Sequence, residues 1–364
     1  KVSYEDIQAL ERAIEQAEFL GTELVTLPDT EQKLDLYAAK NRLKHMKVKY
    51  DKQAPLEEVS ELNEKQKPSV LNIEEVDYVE QRALALSFDA TEQQPKLPKS
   101  LKNGVTLKDH QKTGVAWLQH LQSFAPTYLN GCVLADDMGL GKTLQLLSFI
   151  GHYLESTPHK KPVLIIAPVS LLDNWLAEIR RFFDESSFGS VLKLYGSQLA
   201  NSKIKKNDVP SALREMGISN LLKSNWRNNA DIVLTTYETL RDLEFSFAVE
   251  DWGVMVCDEA QKIKTPSALV TQAAKAQKAD FKIACTGTPV ENSLTDLWCL
   301  FDFIQPSLLG ALNEFGRIYR RPIESIETKD VNSLKQLKLL IEPQILRRTK
   351  QQVAKDLPSK TEVT

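Results

Sequence analysis

The chain has 364 residues, 42% of them hydrophobic, and a formal net charge of −3. This length and apolar content are sufficient for a large core and for more than one domain. The sequence contains no apolar run long enough for a membrane-spanning helix, and we expect no signal peptide. The net charge by itself gives no indication of a nucleic-acid partner.

The cysteines argue against a zinc site or a disulfide framework. All four lie in apolar or helical stretches, and no two of them form a CxxC pair: Cys132, Cys257, Cys285 and Cys299. We therefore expect a reduced, cytoplasmic protein with no membrane partner.

Residues 1–104 are expected to form an acidic, mainly helical accessory domain and linker. Residues 1–100 carry a net charge of −6, whereas the remaining 264 residues carry +3. Apolar spacing predicts one helix over residues 3–20, through Ile7, Leu10, Ile14 and Ala17, and a second over residues 30–49, through Leu34, Leu36, Ala39 and Leu43. The extension could bind a protein partner, hold the rest of the chain inactive, or cap its core, and the sequence leaves these alternatives open.

Residues 105–345 have the pattern of an α/β domain with a parallel sheet flanked by helices. Short apolar runs rich in β-branched residues alternate with amphipathic stretches, which is typical of a sheet covered on both faces. Six strands are predicted: Val133–Ala135, Val163–Ala167, Val191–Tyr195, Ile232–Thr235, Val254–Cys257 and Lys282–Thr286. Polar motifs then fall at strand ends or on the loops that follow them.

The first of these motifs is a glycine-containing turn after the strand at 133–135. Gly139 and Gly141 let the backbone curl so that its amides point inward, and a helix beginning near Lys142 presents the positive end of its dipole. Lys142 can reach β- and γ-phosphates, and the Thr143 hydroxyl can ligate Mg²⁺. Asp136 occupies the position of the first glycine in the usual phosphate-loop pattern.

The second motif is a pair of carboxylates, Asp258 and Glu259, at the end of another apolar strand. Carboxylates at the carboxyl ends of parallel strands face the crevice where α/β sheets bind ligands. Asp258 would hold Mg²⁺, and Glu259 would orient or deprotonate the attacking water. The alternative is an ordinary strand end with solvated acids. Together with the glycine turn, the pair predicts a site that hydrolyses ATP.

The motifs together resemble those of superfamily 2 helicases, and specifically the Swi/Snf-type translocases of double-stranded DNA. Motifs I, II and III of that family resemble Asp-Asp-Met-Gly-Leu-Gly-Lys-Thr at 136–143, Asp-Glu-Ala-Gln at 258–261 and Thr-Gly-Thr-Pro-Val-Glu-Asn at 286–292. Further matches, in the family's order, lie at 107–118, 167–175, 235–238, 297–306 and 346–350. The resemblance implies that the domain is a RecA-like, ATP-binding first lobe.

The resemblance also implies roles for individual residues. ATP would contact the phosphate loop, through Asp137, Met138, Gly139, Leu140, Gly141, Lys142 and Thr143, and Gln111 would pair with the adenine edge. Mg²⁺ would be held by Thr143 and Asp258, catalysis would use Lys142, Asp258, Glu259 and Gln261, and coupling of ATP state to DNA grip would use Thr286, Gly287 and Thr288. Gln261 replaces the histidine of many relatives and cannot titrate near neutral pH.

Two segments are candidates for contact with DNA phosphates. The amides of Val169, Ser170 and Leu171 stand at a helix start, and the hydroxyls of Thr235 and Thr236 end a strand. Helix capping is the alternative for both, and the two uses can coexist. Residues 197–229 carry an excess of lysine and arginine, which indicates either contact with the duplex or a solvated excursion.

The predicted function is an ATP-dependent motor that moves on duplex DNA, and it would be associated with the nucleoid if its source is bacterial. In the family a second RecA-like lobe supplies an arginine finger, and residues 346–364, with Arg347 and Arg348, would be the brace and linker toward it. A solvated charged face is the alternative for these arginines. We expect this chain to be a fragment that binds ATP and hydrolyses it slowly alone. A superfamily 2 RNA helicase and a nucleotide-binding scaffold without turnover are the competing functions.

Overall fold

The computed structural model describes residues 82–353, apart from 92, 158–159, 206–207, 216, 290–292 and 326–329, and a few residues before them: 9–10, 13–14, 24–26 and 33–35. The chain divides into two compact units, Lys1–Val70 and Leu71–Thr364. This division lies earlier in the chain than the predicted boundary at residue 104. Within the second unit, the hydrophobic core includes Leu86 and contacts Phe88 and Leu101.

The first unit contains a short antiparallel pair of strands, β1 (Leu24–Thr26) and β2 (Lys33–Asp35), with Val25 opposite Leu34. The prediction of a helix over residues 30–49 is therefore wrong at Lys33–Asp35. Leu34 and Leu36 are two residues apart, a spacing that suits a strand as well as a helix, and pairing with β1 decides between them. Residues 9–10 and 13–14 are helical, with Leu10 and Ile14 buried; the remainder of both predicted helices lies outside the described residues.

The second unit is built on a seven-stranded sheet whose pairings are all parallel. Its strands are β3 (Gly131–Leu134), β4 (Val163–Ile166), β5 (Val191–Leu194), β6 (Ile232–Thr235), β7 (Trp252–Asp258), β8 (Ala279–Cys285) and β9 (Ile345–Leu346), in the order β5-β6-β4-β7-β8-β3-β9. The six predicted strands and the parallel α/β class are confirmed. The edge strand β9 was not predicted, because two residues carry too little pattern.

Helices cover both faces of this sheet. They are α1 (Asp109–Gln122), α2 (Lys142–Ser156), α3 (Val169–Phe182), α4 (Glu185–Phe188), α5 (Gly196–Ser202), α6 (Ser211–Glu215), α7 (Tyr237–Asp242), α8 (Glu244–Ala248), α9 (Leu269–Ala276), α10 (Leu294–Ile304), α11 (Leu312–Phe315), α12 (Arg321–Glu324), α13 (Val331–Ile341) and α14 (Lys350–Val353). Short 3₁₀ turns span Ala260–Ile263 and Glu342–Gln344, and a π-helical turn spans Gly316–Arg320. No helix among the described residues is long and apolar enough to cross a membrane.

The two faces of the sheet have separate cores because successive strand residues point to opposite sides. In β7, Val254 and Val256 join the core that contains α1, α2 and α3. Met255 and Cys257 join the core that contains α7, α9 and α10. All seven residues of β7 are buried, so this strand lies at the centre of the lobe and its carboxyl end is held rigidly.

Lys282 is a buried cation in the middle of β8. It is 7% exposed, its ammonium donates to the Lys275 carbonyl at 3.3 Å, and it lies 5.1 Å from the centre of the Phe303 ring. Burial lowers the pKa of Lys282 from 10.5 to about 8. The neighbouring acid, Asp302, is paired with Lys275. The protonated form of Lys282 is therefore less favourable in the folded chain than in the unfolded chain.

We expect Lys282→Met to raise the free energy of unfolding at pH 7 by roughly 1–3 kcal/mol, because it removes a buried charge while keeping the apolar stem. Between pH 8 and 10.5 the unfolded chain holds a proton that folded Lys282 has lost. The free energy of unfolding of the wild type therefore rises with pH in this range, and its difference from the variant becomes smaller. Denaturant unfolding of both proteins at pH 7 and at higher pH measures the difference. A constant difference would contradict the assignment, and exposed Lys278→Met is the control.

Candidate functional site

The loop between β3 and α2 depends on two glycines with left-handed backbone. Gly139 has φ of 87° and Gly141 has φ of 76°, a region that other residues enter only with strain. Gly141 is also the N-cap of α2. A Cβ atom on Gly141 would lie 2.2 Å from Nε2 of Gln111, so a larger residue here would also displace the Gln111 side chain.

Lys142 and Thr143 are the first two residues of α2. The Lys142 ammonium donates to the carbonyl of Asp136 at 2.7 Å and lies 3.4 Å from that of Asp137. The lysine is thus folded back over the loop, and the helix dipole adds positive potential at the same point. Met138 is 68% exposed beside the loop, and its Cγ would lie 3.1 Å from a Cβ atom on Gly287.

Asp136, which stands where the first glycine of the pattern belongs, forms a buried ion pair. Its carboxylate accepts two hydrogen bonds from Arg348, from Nε at 2.9 Å and from Nη2 at 2.5 Å. Asp136 is fully buried, and the Arg348 side chain is 15% exposed. The Gln145 amide contacts both partners, at 3.3 Å from Asp136 and 3.0 Å from Arg348. The buried ion pair of Asp136 with Arg348 therefore fixes the start of the loop to the interior of the lobe.

The segment that follows β9 runs beside the same loop. The amide of Ala135 donates to the Leu346 carbonyl at 2.7 Å, and that of Asp137 donates to the Arg348 carbonyl at 3.0 Å. The amide of Lys350 in turn donates to the Asp137 carboxylate at 3.0 Å. The predicted brace segment is thus tied to the loop by its backbone. Of the two arginines in question, Arg348 is held inside the lobe rather than on a solvated face.

Gly114 in α1 provides the room for this ion pair. A Cβ atom at Gly114 would lie 1.9 Å from Oε1 of Gln145 and 2.9 Å from Nη2 of Arg348. The Gln145 side chain is fully buried and hydrogen-bonded, so it cannot move aside without losing those bonds. The glycine in the middle of this helix therefore reflects packing rather than flexibility.

We expect Gly114→Ala to destabilise the chain by about 1–2 kcal/mol. Alanine favours a helix over glycine by about 1 kcal/mol, but overpacking a filled core costs about 1–3 kcal/mol and here also disturbs a buried ion pair. Thermal or denaturant unfolding measures the change. An increase in stability, which helix propensity alone predicts, would show that the network around Gln145 is loose. Gly151→Ala in α2 is the comparison variant, because a Cβ atom there would meet Pro98 at the longer distance of 3.0 Å.

Gln111 and His110, at the start of α1, lie against the other side of the loop. The Gln111 amide accepts from the Lys108 amide at 2.9 Å, and its Nε2 lies 3.4 Å from the Leu140 carbonyl. The His110 ring contacts that same carbonyl at 3.0 Å. With Gly139 and Arg347 these residues line an open cavity of about 900 Å³, which is adjacent to the loop and large enough for a nucleoside.

Asp258 and Glu259 stand at the carboxyl end of β7. Asp258 is 8% exposed; one carboxylate oxygen accepts from the Trp175 indole N–H at 2.9 Å and the other from the Glu259 amide at 3.0 Å. Burial raises the pKa of Asp258, and the bond from Trp175 opposes that shift by favouring the ionised form. Glu259 has φ of 52° and ψ of 52°, a left-handed conformation that costs a non-glycine residue energy and is often found at functional sites.

A hydrogen-bond relay joins this end of β7 to the end of β8. Nε2 of Gln261 donates to the Glu259 carboxylate at 2.7 Å, and the Thr286 hydroxyl donates to Oε1 of Gln261 at 2.8 Å. The Thr288 amide then donates to the Thr286 hydroxyl at 3.1 Å. The relay orients the Glu259 carboxylate and makes its position depend on the segment after β8.

The sheet order brings these elements together. β8 lies between β7 and β3, so Asp258, Thr286 and the glycine loop follow three adjacent parallel strands at one edge. The Thr286 amide donates to the Leu134 carbonyl at 3.0 Å, which fixes the segment after β8 beside the start of the loop. The arrangement can hold phosphates, a hard cation and a water between basic and acidic groups.

The predicted DNA-contacting residues have two different environments. Val169 is 65% exposed and Ser170 is also exposed at the start of α3, whereas the Leu171 amide donates to the Pro168 carbonyl at 2.8 Å. Thr235 and Thr236 are buried. The Thr235 hydroxyl donates to the Leu194 carbonyl at 3.0 Å, and the Thr236 hydroxyl caps α7 by accepting from the Thr239 amide at 3.0 Å. In this structure both threonine hydroxyls serve the fold.

The basic segment 197–229 is partly tied to the lobe. Trp226 packs against Phe247, with ring centres 5.3 Å apart, and against Trp252 at 6.4 Å. Arg227 pairs with Glu250 at 3.1 Å. The Lys223 ammonium donates to the Asn201 carbonyl at 2.6 Å. The aromatic residue and two of the cations in this segment thus have structural partners, and the two interpretations apply to its other cations.

Sequence reasoning missed the ion pair of Asp136 with Arg348 and the contacts that Trp175 and Tyr237 make with Asp258. A buried acid in place of a loop glycine, together with paired arginines far along the chain, is a signal that could have suggested the first. Trp175 and Tyr237 carry no local signal, because an aromatic residue on an apolar helix face is usually core.

Comparison with known proteins decides the family. A family model described as the SNF2-related domain matches residues 110–364. The chain belongs to that family. It is 52% identical over 360 residues to the Zorya protein ZorD of Escherichia coli O139:H28, covering 97% of this chain and 33% of that protein. It is 34% identical over 265 residues to the chromatin-remodeling ATPase INO80 of Arabidopsis thaliana, covering 71% of this chain and 16% of that protein.

A solved structure supports the same assignment. The SWI2/SNF2 ATPase core of Sulfolobus solfataricus, in complex with double-stranded DNA, superimposes with a TM-score of 0.57 and 31% identity, covering 72% of this chain and 49% of that one. The described lobe is thus a RecA-like first lobe of the Swi/Snf type. The chain spans a third of the length of ZorD.

Proposed function

We propose that the SNF2-related lobe is the ATP-binding half of a motor that hydrolyses ATP while moving along duplex DNA. The observation that carries the proposal is the convergence, at one sheet edge, of the phosphate loop and the relay from Glu259 through Gln261 to Thr286. The proposal is supported by its relatives, which include a chromatin-remodeling ATPase and an ATPase core in complex with double-stranded DNA.

The residues of the loop fit a nucleotide phosphate with Mg²⁺. Gly139 and Gly141 place no Cβ atom at the two left-handed positions of the loop. The Lys142 ammonium lies over the loop, where it can exchange its carbonyl partners for phosphate oxygens. The Thr143 hydroxyl and the Asp258 carboxylate are the hard oxygen ligands that Mg²⁺ prefers. When bound, the metal would neutralise charge on the β- and γ-phosphates. The remaining loop residues, Asp137, Met138 and Leu140, would border the nucleotide, and Gln111 would contact the adenine edge.

Glu259 is the proposed general base. Its carboxylate is held by Gln261 and can accept a proton from a water that attacks the γ-phosphate. Gln261, Thr286, Gly287 and Thr288 would then transmit the presence of that phosphate along the relay, since Thr286 and Thr288 are joined to it by hydrogen bonds. A glutamine performs this role as a donor and an acceptor at once, with no change of charge near neutral pH.

The DNA-contacting surface would begin at the start of α3. Val169 and Ser170 are exposed at the positive end of a fourteen-residue helix, where amides bind phosphates well. Leu171, Thr235 and Thr236 would position that surface through their bonds within the lobe. A second RecA-like lobe in the full-length protein would close the ATP site with its arginine, joined through residues 346–364, and residues 1–70, the first compact unit, would act as a separate accessory domain.

The decisive experiment is ATP hydrolysis by the full-length protein with duplex DNA, with RNA and with neither, beside the same assay on residues 1–364. Stimulation by duplex DNA, together with weak hydrolysis by residues 1–364 that still bind ATP, is the expected result. Stimulation by RNA instead would favour an RNA helicase. Nucleotide binding without turnover in the full-length protein would favour a scaffold.

A further inference from the structure

Two buried aromatic residues converge on Asp258, and each comes from a different helix. The Trp175 indole N–H donates to the Asp258 carboxylate at 2.9 Å, and the Tyr237 hydroxyl donates to the Asp258 backbone carbonyl at 2.7 Å. Trp175 is 1% exposed and Tyr237 is 3% exposed. A buried indole N–H and a buried phenol each require a partner, and both find it on the same residue.

One of these helices begins with the first candidate DNA-contacting segment, and the other directly follows the second. Trp175 lies in α3, which begins at Val169, and Tyr237 is the first residue of α7, directly after Thr236. The strands that lead into these helices, β4 and β6, are neighbours in the sheet, and β4 is also the neighbour of β7. The contacts therefore run from both segments to the end of β7 through directly adjoining elements.

Close packing makes these contacts sensitive to helix position. Trp175 and Tyr237 are enclosed in opposite cores of the sheet, so neither ring can stay in place if its helix shifts. The second oxygen of the Asp258 carboxylate accepts a hydrogen bond from the Glu259 amide at 3.0 Å. A displaced indole would remove the N–H that holds one carboxylate oxygen and would leave the Glu259 amide and the Cys285 thiol as its partners, so the carboxylate could turn about its side chain.

We propose that Trp175 and Tyr237 are positioning residues through which α3, when seated on duplex DNA, and α7, which follows the neighbouring strand, set the orientation of Asp258 toward Mg²⁺. The proposal rests on the proposed function and adds the route by which DNA stimulates the ATP site. Partners that orient a metal ligand typically change metal affinity or activity by about 10–100-fold when they are removed.

Trp175→Phe and Tyr237→Phe test these positioning roles, because each removes the polar group that bonds to Asp258 and keeps a six-membered aromatic ring. The chain offers matched controls. Trp252→Phe removes an equally buried indole N–H that donates to the Phe247 carbonyl at 3.1 Å, and Tyr153→Phe removes a buried hydroxyl that donates to the Lys161 carbonyl at 3.1 Å. Trp252 opens β7 at the opposite end from Asp258, so its loss affects the fold without touching the proposed route.

Two readouts on the full-length protein are needed. The first is the ratio of ATP hydrolysis with saturating duplex DNA to hydrolysis without it. The second is the Mg²⁺ concentration that gives half-maximal binding of a fluorescent, non-hydrolysable ATP analogue, with and without DNA. We expect Trp175→Phe and Tyr237→Phe each to lower the stimulation ratio about tenfold and to abolish the effect of DNA on the Mg²⁺ requirement, while both controls behave as wild type.

Three outcomes would overturn either the proposed function or the positioning role, and the measurements distinguish them. A wild-type protein that duplex DNA does not stimulate would overturn the proposed function itself. Wild-type stimulation with unchanged ratios in Trp175→Phe and Tyr237→Phe would overturn the positioning role alone. An equal fall in Trp252→Phe and Tyr153→Phe, with equal falls in melting temperature, would assign the effect to lost stability and would also overturn the positioning role.

Discussion

Replacing Glu259 with glutamine is expected to lower DNA-stimulated ATP hydrolysis by the full-length protein by roughly 10²–10⁴-fold, the usual contribution of a general base. Nucleotide affinity is expected to change little. The substitution keeps an oxygen that can accept from Nε2 of Gln261, the bond that orients Glu259 at 2.7 Å, but an amide cannot take a proton from water. Single-turnover hydrolysis and binding of a fluorescent ATP analogue measure the two effects separately.

The control for this prediction is Glu215→Gln, which neutralises an exposed carboxylate in α6. It changes the net charge by the same amount and is expected to leave hydrolysis at the wild-type rate. Full hydrolysis by Glu259→Gln would remove Glu259 from the mechanism. A loss of ATP binding equal to the loss of hydrolysis would instead assign it a role in holding the nucleotide.

The sheet and the edge that carries the site could be predicted because their signals are local. The glycine loop at Gly139 and the paired acids at Asp258 each come at the carboxyl end of an apolar strand. The carboxyl ends of parallel strands lie at the same edge of a sheet. Each motif therefore predicts its neighbours in space without any knowledge of the strand order.

The contacts that hold the site could not be predicted because their partners are far apart in the sequence. The pair of Asp136 with Arg348 spans 212 positions, and Trp175 lies 83 positions before Asp258. Nothing in the residues around Trp175 distinguishes an indole bonded to a carboxylate from one that only fills a core. Similarly, Leu34 and Leu36 suit either a helix or a strand, and only the pairing with β1 decides.

The ion pair beneath the phosphate loop has the largest expected effect on stability. Arg348 holds three segments together: it bonds to Asp136 in the loop, to Gln145 in α2 and to the His110 carbonyl in α1. Its carboxylate partner is fully buried. Removal of one member of a buried pair leaves an uncompensated charge, which is much more costly than losing a pair at the surface.

We expect Arg348→Ala to lower the free energy of unfolding by about 3–5 kcal/mol at pH 7. The adjacent Arg347→Ala is the matched control, since its side chain is 45% exposed and lies 3.9 Å from Asp137, and it is expected to cost less than about 1 kcal/mol. Asp136→Asn in the Arg348→Ala background removes the stranded charge and should recover part of the loss. Denaturant unfolding of the four proteins measures these differences. If the two alanine variants are equally stable, the loop is not anchored through Asp136, and the segment after β9 holds it through backbone hydrogen bonds alone.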